Sequence, residues 1–116
     1  MQNNFIVSVI LPVFNSEKYI GRCLRSLNRQ SLSKKNYEIV IVNDHSDDKS
    51  LIEIKKFKEK NIKIINNDKN YGLVKSLNIG IRKAKGSLIV RVDSDDWVHE
   101  DFLNIMSTFL FINQDL

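Results

Sequence analysis

Leu88-Ile89-Val90-Arg91-Val92 runs without a break into Asp93-Ser94-Asp95-Asp96. Strand-forming residues that stop at three carboxylates within four positions predict a buried strand delivering acids to a cleft. Two carboxylates about 4 Å apart repel by about 4 kcal/mol at an effective dielectric of 20, and by only about 1 kcal/mol in bulk water. In a cleft, therefore, the cluster calls for a cation. On an open surface it needs none, because Asp and Ser also serve as solvated turn residues and helix N-caps. The nine residues alone leave both accounts open.

Three more apolar runs lie upstream. Together the four predict strands over 6–13, 38–42, 62–65 and 88–92, mostly continuous in hydrophobicity rather than alternating, as in strands covered on both faces. Helical periodicity fills the gaps. The first helix is expected over 17–30, with Ile20, Cys23, Leu24 and Leu27 inward and Lys18, Arg22, Arg25 and Arg29 as a solvent-facing basic stripe. The second is expected over 48–60, with Leu51, Ile54 and Phe57 inward. The third is expected over 73–85, with Leu73, Leu77, Ile81 and Ala84 inward and Gly86 as its stop. A fourth starts near Glu100 and carries Phe102, Leu103, Met106, Phe109 and Leu110. Strand alternating with helix predicts an α/β fold: a mostly parallel sheet of about four strands with helices on both faces. The apolar ending Phe109-Leu110-Phe111-Ile112 needs a surface to bury against, and one sheet edge is expected to be bare, so the chain reads as part of a longer domain.

A chain of 116 residues makes one domain of modest size with a real core. A hydrophobic content of 42% with 28% charged residues is ordinary for a globular protein. The single Cys23 has no partner for an internal disulfide and is expected in the core. No stretch approaches the roughly 20 apolar residues of a membrane span. The first four residues lack the character of a signal peptide. The cytoplasm is the expected compartment, with the inner face of a membrane as the alternative. The net charge of +4 is mild. It suits weak attraction to a phosphorylated substrate or to anionic headgroups, which keeps peripheral membrane association open. No zinc spacing or nucleic-acid-reading motif accompanies it, so nucleic acid is not an expected partner.

If the strands are parallel, their polar endings share one rim. These endings are Pro12-Val13-Phe14-Asn15, Asn43-Asp44-His45-Ser46-Asp47-Asp48, Asn66-Asn67-Asp68 and Asp93-Ser94-Asp95-Asp96. In open α/β sheets ligands bind at that rim, where the following helices also offer N–H groups to anions. The glycine fingerprint of dinucleotide folds is missing, since no Gly precedes Gly21, and no phosphate-binding P-loop is present. A metal ion is the natural substitute for that backbone cradle. Mg2+ and Mn2+ take oxygen ligands and commonly sit between one or two carboxylates and substrate phosphates. Asp93 and Asp95, one residue apart, can aim at a single ion and a neighbouring ribose, which points to a nucleotide diphosphate.

Over nearly its whole length the chain resembles the family 2 glycosyltransferases of the GT-A fold, a Rossmann-like architecture. The matching segments are Val7-Ser8-Val9-Ile10-Leu11-Pro12-Val13-Phe14-Asn15 and Glu38-Ile39-Val40-Ile41-Val42-Asn43-Asp44-His45-Ser46-Asp47-Asp48. They continue with Asn70-Tyr71-Gly72, Asn78-Ile79-Gly80-Ile81, Ala84-Lys85-Gly86 and Asp93-Ser94-Asp95-Asp96. Their order and spacing are far more specific than a lone Asp-x-Asp. The resemblance implies that Pro12, Phe14 and Asn15 line a nucleotide pocket and that Asp44 contacts the base, often uracil. It implies that Lys75 and Asn78 lie on the helix flanking the nucleotide, that Asp93 contacts ribose or metal, and that Ser94 belongs to the nucleotide-sugar site. Asp95 would hold Mn2+ or Mg2+ against the diphosphate, with Asp96 as a further ligand or supporting acid. Trp97 either walls the sugar pocket or packs in the fold, packing being the expectation. His45 and His99 have no partner pattern and are expected at the surface.

The implied activity is metal-assisted, inverting transfer of a sugar from a nucleotide diphosphate donor, a UDP-sugar first, to a glycan, lipid-linked or protein acceptor, as in polysaccharide biosynthesis. In this family the acceptor half and its general base follow the Asp-x-Asp segment. Glu100 and Asp101 read instead as first-turn helix acids, so the base is expected beyond Leu116. Residues 1–116 are accordingly expected to be the nucleotide-sugar-binding part, and the alternative is a truncated, non-catalytic binding or interaction module. A phosphoryl-transfer domain with paired aspartates ranks last, because Asn15 stands where its acid after the first strand would be.

Overall fold

A computed structural model of the chain describes residues 4–112, with side chains through Phe109. Four strands and four helices alternate: β1 (Val7–Val13), α1 (Ile20–Asn28), β2 (Tyr37–Asn43), α2 (Ser50–Ile54), β3 (Ile62–Asn66), α3 (Leu73–Lys83), β4 (Leu88–Arg91) and α4 (Phe102–Ile112). All strand pairs are parallel, in the order β3-β2-β1-β4. The chain steps outward from β1 to β2 to β3, then returns to place β4 on the other side of β1. The connections leaving β1 and β3 thus run in opposite directions along the sheet, and the reversal leaves β1 and β4 side by side. Such a reversal opens a crevice beyond the carboxyl ends of the two strands.

The continuous apolar runs have the expected cause. Every residue of β1 and β2 is buried, because helices cover both faces. Val7, Val9, Leu11 and Val13 point to one side, where they meet Ile20, Cys23, Leu24 and Leu27 of α1, Ile54 of α2 and Leu103 of α4. Ile10, Val40 and Val42 point to the other side and meet Leu77, Ile79 and Ala84 around α3. Strands β3 and β4 form the two edges among the described residues, and Ile89 of β4 is 39% exposed.

Three expectations need correction. Helix α2 spans five residues rather than the 13 expected over 48–60. Beyond Ile54 the backbone tightens into i→i−3 bonds, Lys56 N to Glu53 O and Phe57 N to Ile54 O. The cluster Lys55, Lys56, Lys58 and Lys60 would place like charges three and four residues apart in a continued helix, which disfavours it. The turn still tucks Phe57 against the core. Helix α3 is rotated from its expected orientation: Ser76 and Gly80 are its buried residues, while Leu73 and Ile81 are 50% and 46% exposed. Close approach decides this. A Cβ on Gly80 would lie 2.7 Å from Ile10 Cγ2 and 3.1 Å from Val42 Cγ2, so the sheet accepts the helix through its small residues. Helix α4 begins at Phe102, which leaves Glu100 and Asp101 in the turn before it. Its Leu103 is fully buried, whereas Ile105 and Phe109 are 62% and 61% exposed. The expected burial of Leu110, Phe111 and Ile112 lies outside the described side chains. Among the described residues no helix is long and apolar enough to cross a membrane.

Candidate functional site

The crevice between the ends of β1 and β4 has a volume of about 590 Å³. Pro12, Phe14, Asn15, Asp44, Asp93, Ser94 and Asp95 all line it, so residues spread over more than 80 positions meet at one rim. Lys75 and Asn78 do not reach it. They line an adjoining groove of about 430 Å³ with Tyr71, Val74, Ile79 and Arg82.

Short polar bonds hold the loops around the crevice. Asn15 has φ 49°, in the left-handed region that Asn tolerates better than most residues. There its N–H donates to Ser46 Oγ at 3.0 Å and its Oδ1 accepts from Asp47 N at 2.9 Å. The loop after β1 is thereby tied to the loop after β2. Ser16 N donates to Ser50 Oγ at 2.7 Å, and the Ser16 and Ser94 hydroxyls share a hydrogen bond. Ser94 thus fastens the acid loop after β4 to the loop after β1. Cys23 Sγ lies 3.6 Å from the Asp93 carbonyl. Burial first, and then the charges of Asp96, Asp95 and Asp93, push the Cys23 thiol up to about 12. It is a protonated core residue, as its apolar position predicts.

Asp44 is the most tightly held acid on the rim. It is 4% exposed. Its Oδ1 accepts from Tyr71 N at 2.7 Å and from Asn67 Nδ2 at 2.9 Å, and its Oδ2 accepts from Gly72 N at 2.9 Å. Burial works to raise its pKa, but the Tyr71 N–H, the Asn67 amide, the Gly72 N–H and Ser76 together outweigh that and hold it below the usual carboxylate value. Gly72 caps α3 with φ 91°, a conformation that strains any residue with a Cβ. Asp44 therefore fixes the turn that starts α3. These bonds hold the carboxylate at the rim, where Asp44 also lines the crevice.

The acids after β4 differ in kind. Asp93 Oδ1 accepts from Arg91 Nε at 2.8 Å, and both side chains are about half exposed. Asp95 is exposed, accepts no hydrogen bond and joins no ion pair among the described residues. The rim thus presents one structural carboxylate, one paired carboxylate and one free carboxylate. No three-acid cage forms here. Among the described residues the only grouping of three ligand side chains is His99, Glu100 and Asp101, which lie in the exposed turn before α4. One free carboxylate lining the same crevice as Asp93 still fits Mg2+ or Mn2+, which bind through one or two carboxylates and complete their shell with phosphates and water.

Arg91 is the one cation lining this crevice among the described residues, and in the sequence it sits within an apolar run. A lone charge inside a strand ending in acids was the available signal. Tyr19, Ser16, Leu73 and Ser76 also line the crevice, and nothing in their local sequence marks them, whereas Asn70, which lines it too, lies in the matching segment Asn70-Tyr71-Gly72. Trp97 does not pack as expected: it is 62% exposed, with the Arg22 guanidinium 5.9 Å from its ring centroid. His45 and His99 are exposed.

Comparison with known proteins gives the family and the fold. The profile of glycosyl transferase family 2 matches residues 8–113. The poly(ribitol-phosphate) beta-N-acetylglucosaminyltransferase TarS of Staphylococcus aureus is 37% identical over 105 residues, covering 89% of this chain and 18% of that protein. A poly(ribitol-phosphate) beta-glucosyltransferase of Bacillus spizizenii is 40% identical over 100 residues, covering 84% of this chain and 16% of its own length. The crystal structure of S. aureus TarS 1-349 in complex with UDP-GlcNAc superposes with a TM-score of 0.85 at 36% identity, over 90% of this chain and 31% of that one. The chain thus spans less than a third of each of these proteins.

Proposed function

The chain belongs to glycosyl transferase family 2, and from that premise we propose that residues 1–116 are the nucleotide-sugar-binding part of a GT-A glycosyltransferase domain. The whole protein transfers a sugar from a nucleotide diphosphate donor, a UDP-sugar first, to a glycan acceptor of the polysaccharide kind. The observation that carries this is the meeting of Asp44 and Asp95 in one crevice at the point where the strand order reverses.

Each residue has a part set by its environment. The exposed ring of Phe14 and the buried Pro12 form an apolar wall for a flat base. Asp44, a carboxylate lining the crevice, suits the imide N–H of uracil as an acceptor. Asp93, held in place by Arg91, suits a ribose hydroxyl and keeps its second oxygen for a metal ion. Asp95 holds Mn2+ or Mg2+. When bound, that ion neutralises charge developing on the departing diphosphate and orients it. Asn15 and Ser94 shape the site by tying its loops, while Lys75 and Asn78 flank it from the adjoining groove. Transfer with inversion needs a base from outside residues 1–116.

Titration calorimetry with UDP tests this proposal. UDP is expected to bind in the presence of Mn2+ or Mg2+, to lose at least tenfold in affinity with chelator, and to lose as much in Asp95→Ala. Unchanged UDP affinity in both conditions would remove the metal and Asp95 from the site.

A further inference from the structure

The basic stripe of α1 is not an isolated solvated face. Arg22, Arg25 and Arg29 line a groove of about 410 Å³ whose far wall is the segment after Asp96, with Trp97 exposed on it. Glu100 is the one carboxylate in the groove, set against three guanidiniums. None of the ion pairs among the described residues involves Arg22, Arg25 or Arg29. Three cations sharing one groove with a single carboxylate leave an excess of positive charge, which a polyanion relieves.

The groove is built rather than incidental. Val98 N donates to Ser26 Oγ at 3.1 Å, Gln30 Nε2 to the His99 carbonyl at 2.8 Å, Ser31 N to the Glu100 carbonyl at 2.8 Å, and Leu103 N to Gln30 Oε1 at 2.9 Å. These four bonds fasten its two walls together. The arginines recur at intervals of three and four residues, so they advance about 4.5 and 6 Å along the helix axis. That makes a linear row suited to a linear chain of charges. Guanidinium groups bind phosphate through paired N–H donors, and an exposed Trp beside Arg is the composition of an anchoring patch. Trp97 directly follows the acid loop, and α1 touches that loop through Cys23 and the Asp93 carbonyl. The groove therefore opens next to the rim where the donor sugar would be presented.

We propose that this groove is a subsite for the acceptor, and that the acceptor is a polymer joined by phosphodiester groups. The proposal rests on the donor-binding reading of the crevice and extends it to the substrate class on the other side of the reaction. A concave groove with a carboxylate in its wall favours a threaded chain over a flat membrane.

Trp97 is the only tryptophan of the chain, so its fluorescence reports on the groove. The probes are a synthetic ribitol-phosphate octamer and a neutral maltooctaose, with UDP binding measured in parallel by calorimetry. The charged octamer is expected to quench or shift Trp97 emission, with affinity falling as salt rises, and the neutral one to leave it unchanged. Replacing all three residues (Arg22→Gln, Arg25→Gln, Arg29→Gln) should weaken octamer binding at least tenfold while UDP affinity stays within twofold. The three Arg→Lys changes should retain part of the binding. Equal octamer affinity in the Gln variant, equal response to the neutral probe, or no response to either while UDP still binds, overturns the proposal. Arginine-dependent binding to phosphatidylglycerol vesicles without binding of the octamer also overturns it, assigning the patch to a membrane. Failure of UDP itself to bind would instead refute the donor reading.

Discussion

Strand β2 carries a buried carboxylate at each end, and the two behave differently. Glu38, at the amino end, is 3% exposed; Asp44, just past the carboxyl end, is 4% exposed. Both clamp α3. Asp44 holds the N–H groups of Tyr71 and Gly72 at the start of the helix. Glu38 accepts from Lys85 N at 2.6 Å just beyond its end and from Ser8 Oγ at 2.7 Å, with Lys63 Nζ 3.9 Å away. Ser8 Oγ in turn accepts from Gly86 N at 2.7 Å. The protein-internal partners of Glu38 close around it, whereas Asp44 also lines a crevice beside Asp93 and a free Asp95. Burial and hydrogen bonding of an acid therefore do not mark a site. An acid that also opens onto a crevice shared with a free carboxylate does.

The sharpest way to break the amino end is Gly86→Ala. A Cβ there would lie 2.6 Å from Ser8 N and 2.7 Å from the Val7 carbonyl carbon, and backbone cannot move aside as a side chain tip can. A loss of about 3 kcal/mol or more is expected in denaturant unfolding, with UDP affinity of the folded protein unchanged.

Glu38→Ala and Asp44→Ala come next. Each leaves buried donors without an acceptor, so each should cost about 1.5–3 kcal/mol. The comparison predicts a split in function: Asp44→Ala also weakens UDP binding severalfold or more, while Glu38→Ala does not. Equal effects on UDP would erase the distinction between the two ends.

The smallest effect is the pH dependence of the Asp44 clamp. Its pKa is depressed in the folded state, so the stability it contributes is full above its unfolded value of about 3.9 and is lost as pH falls from there through the folded value. The stability gap between the wild type and Asp44→Asn should be flat from about pH 5 to 8 and shrink below about pH 4. A gap that grows on acidification would contradict the hydrogen bonds assigned to this carboxylate.

Much of this was legible in the sequence. The apolar runs located all four strands to within about two residues, because strands covered on both faces must be apolar throughout. Polar residues at the strand ends located the rim, because a parallel sheet aligns those ends. Helix α2 is shorter than its sequence implies because apolar periodicity at Leu51, Ile54 and Phe57 persists through a lysine-rich turn that is no longer helical. The orientation of α3 departs from its apolar periodicity because Ser76 and Gly80 face the sheet for want of bulk. Arg91 reads as part of a strand, although a lone cation two residues before Asp93 is a local sign of their pair. Nothing local tells of the wall that Trp97 shares with α1.

The linear order of residues determined that this chain forms a parallel α/β sheet whose acids follow the strands, since periodicity and strand-end chemistry are local properties. Only the folded arrangement decided which acids are already engaged. Asp44 is held by a loop some 25 residues away, Asp93 is paired with Arg91 two residues before it, and Asp95 is left free among the described residues. Hydrogen bonds form between groups that folding brings together, and each one changes what a carboxylate can still bind.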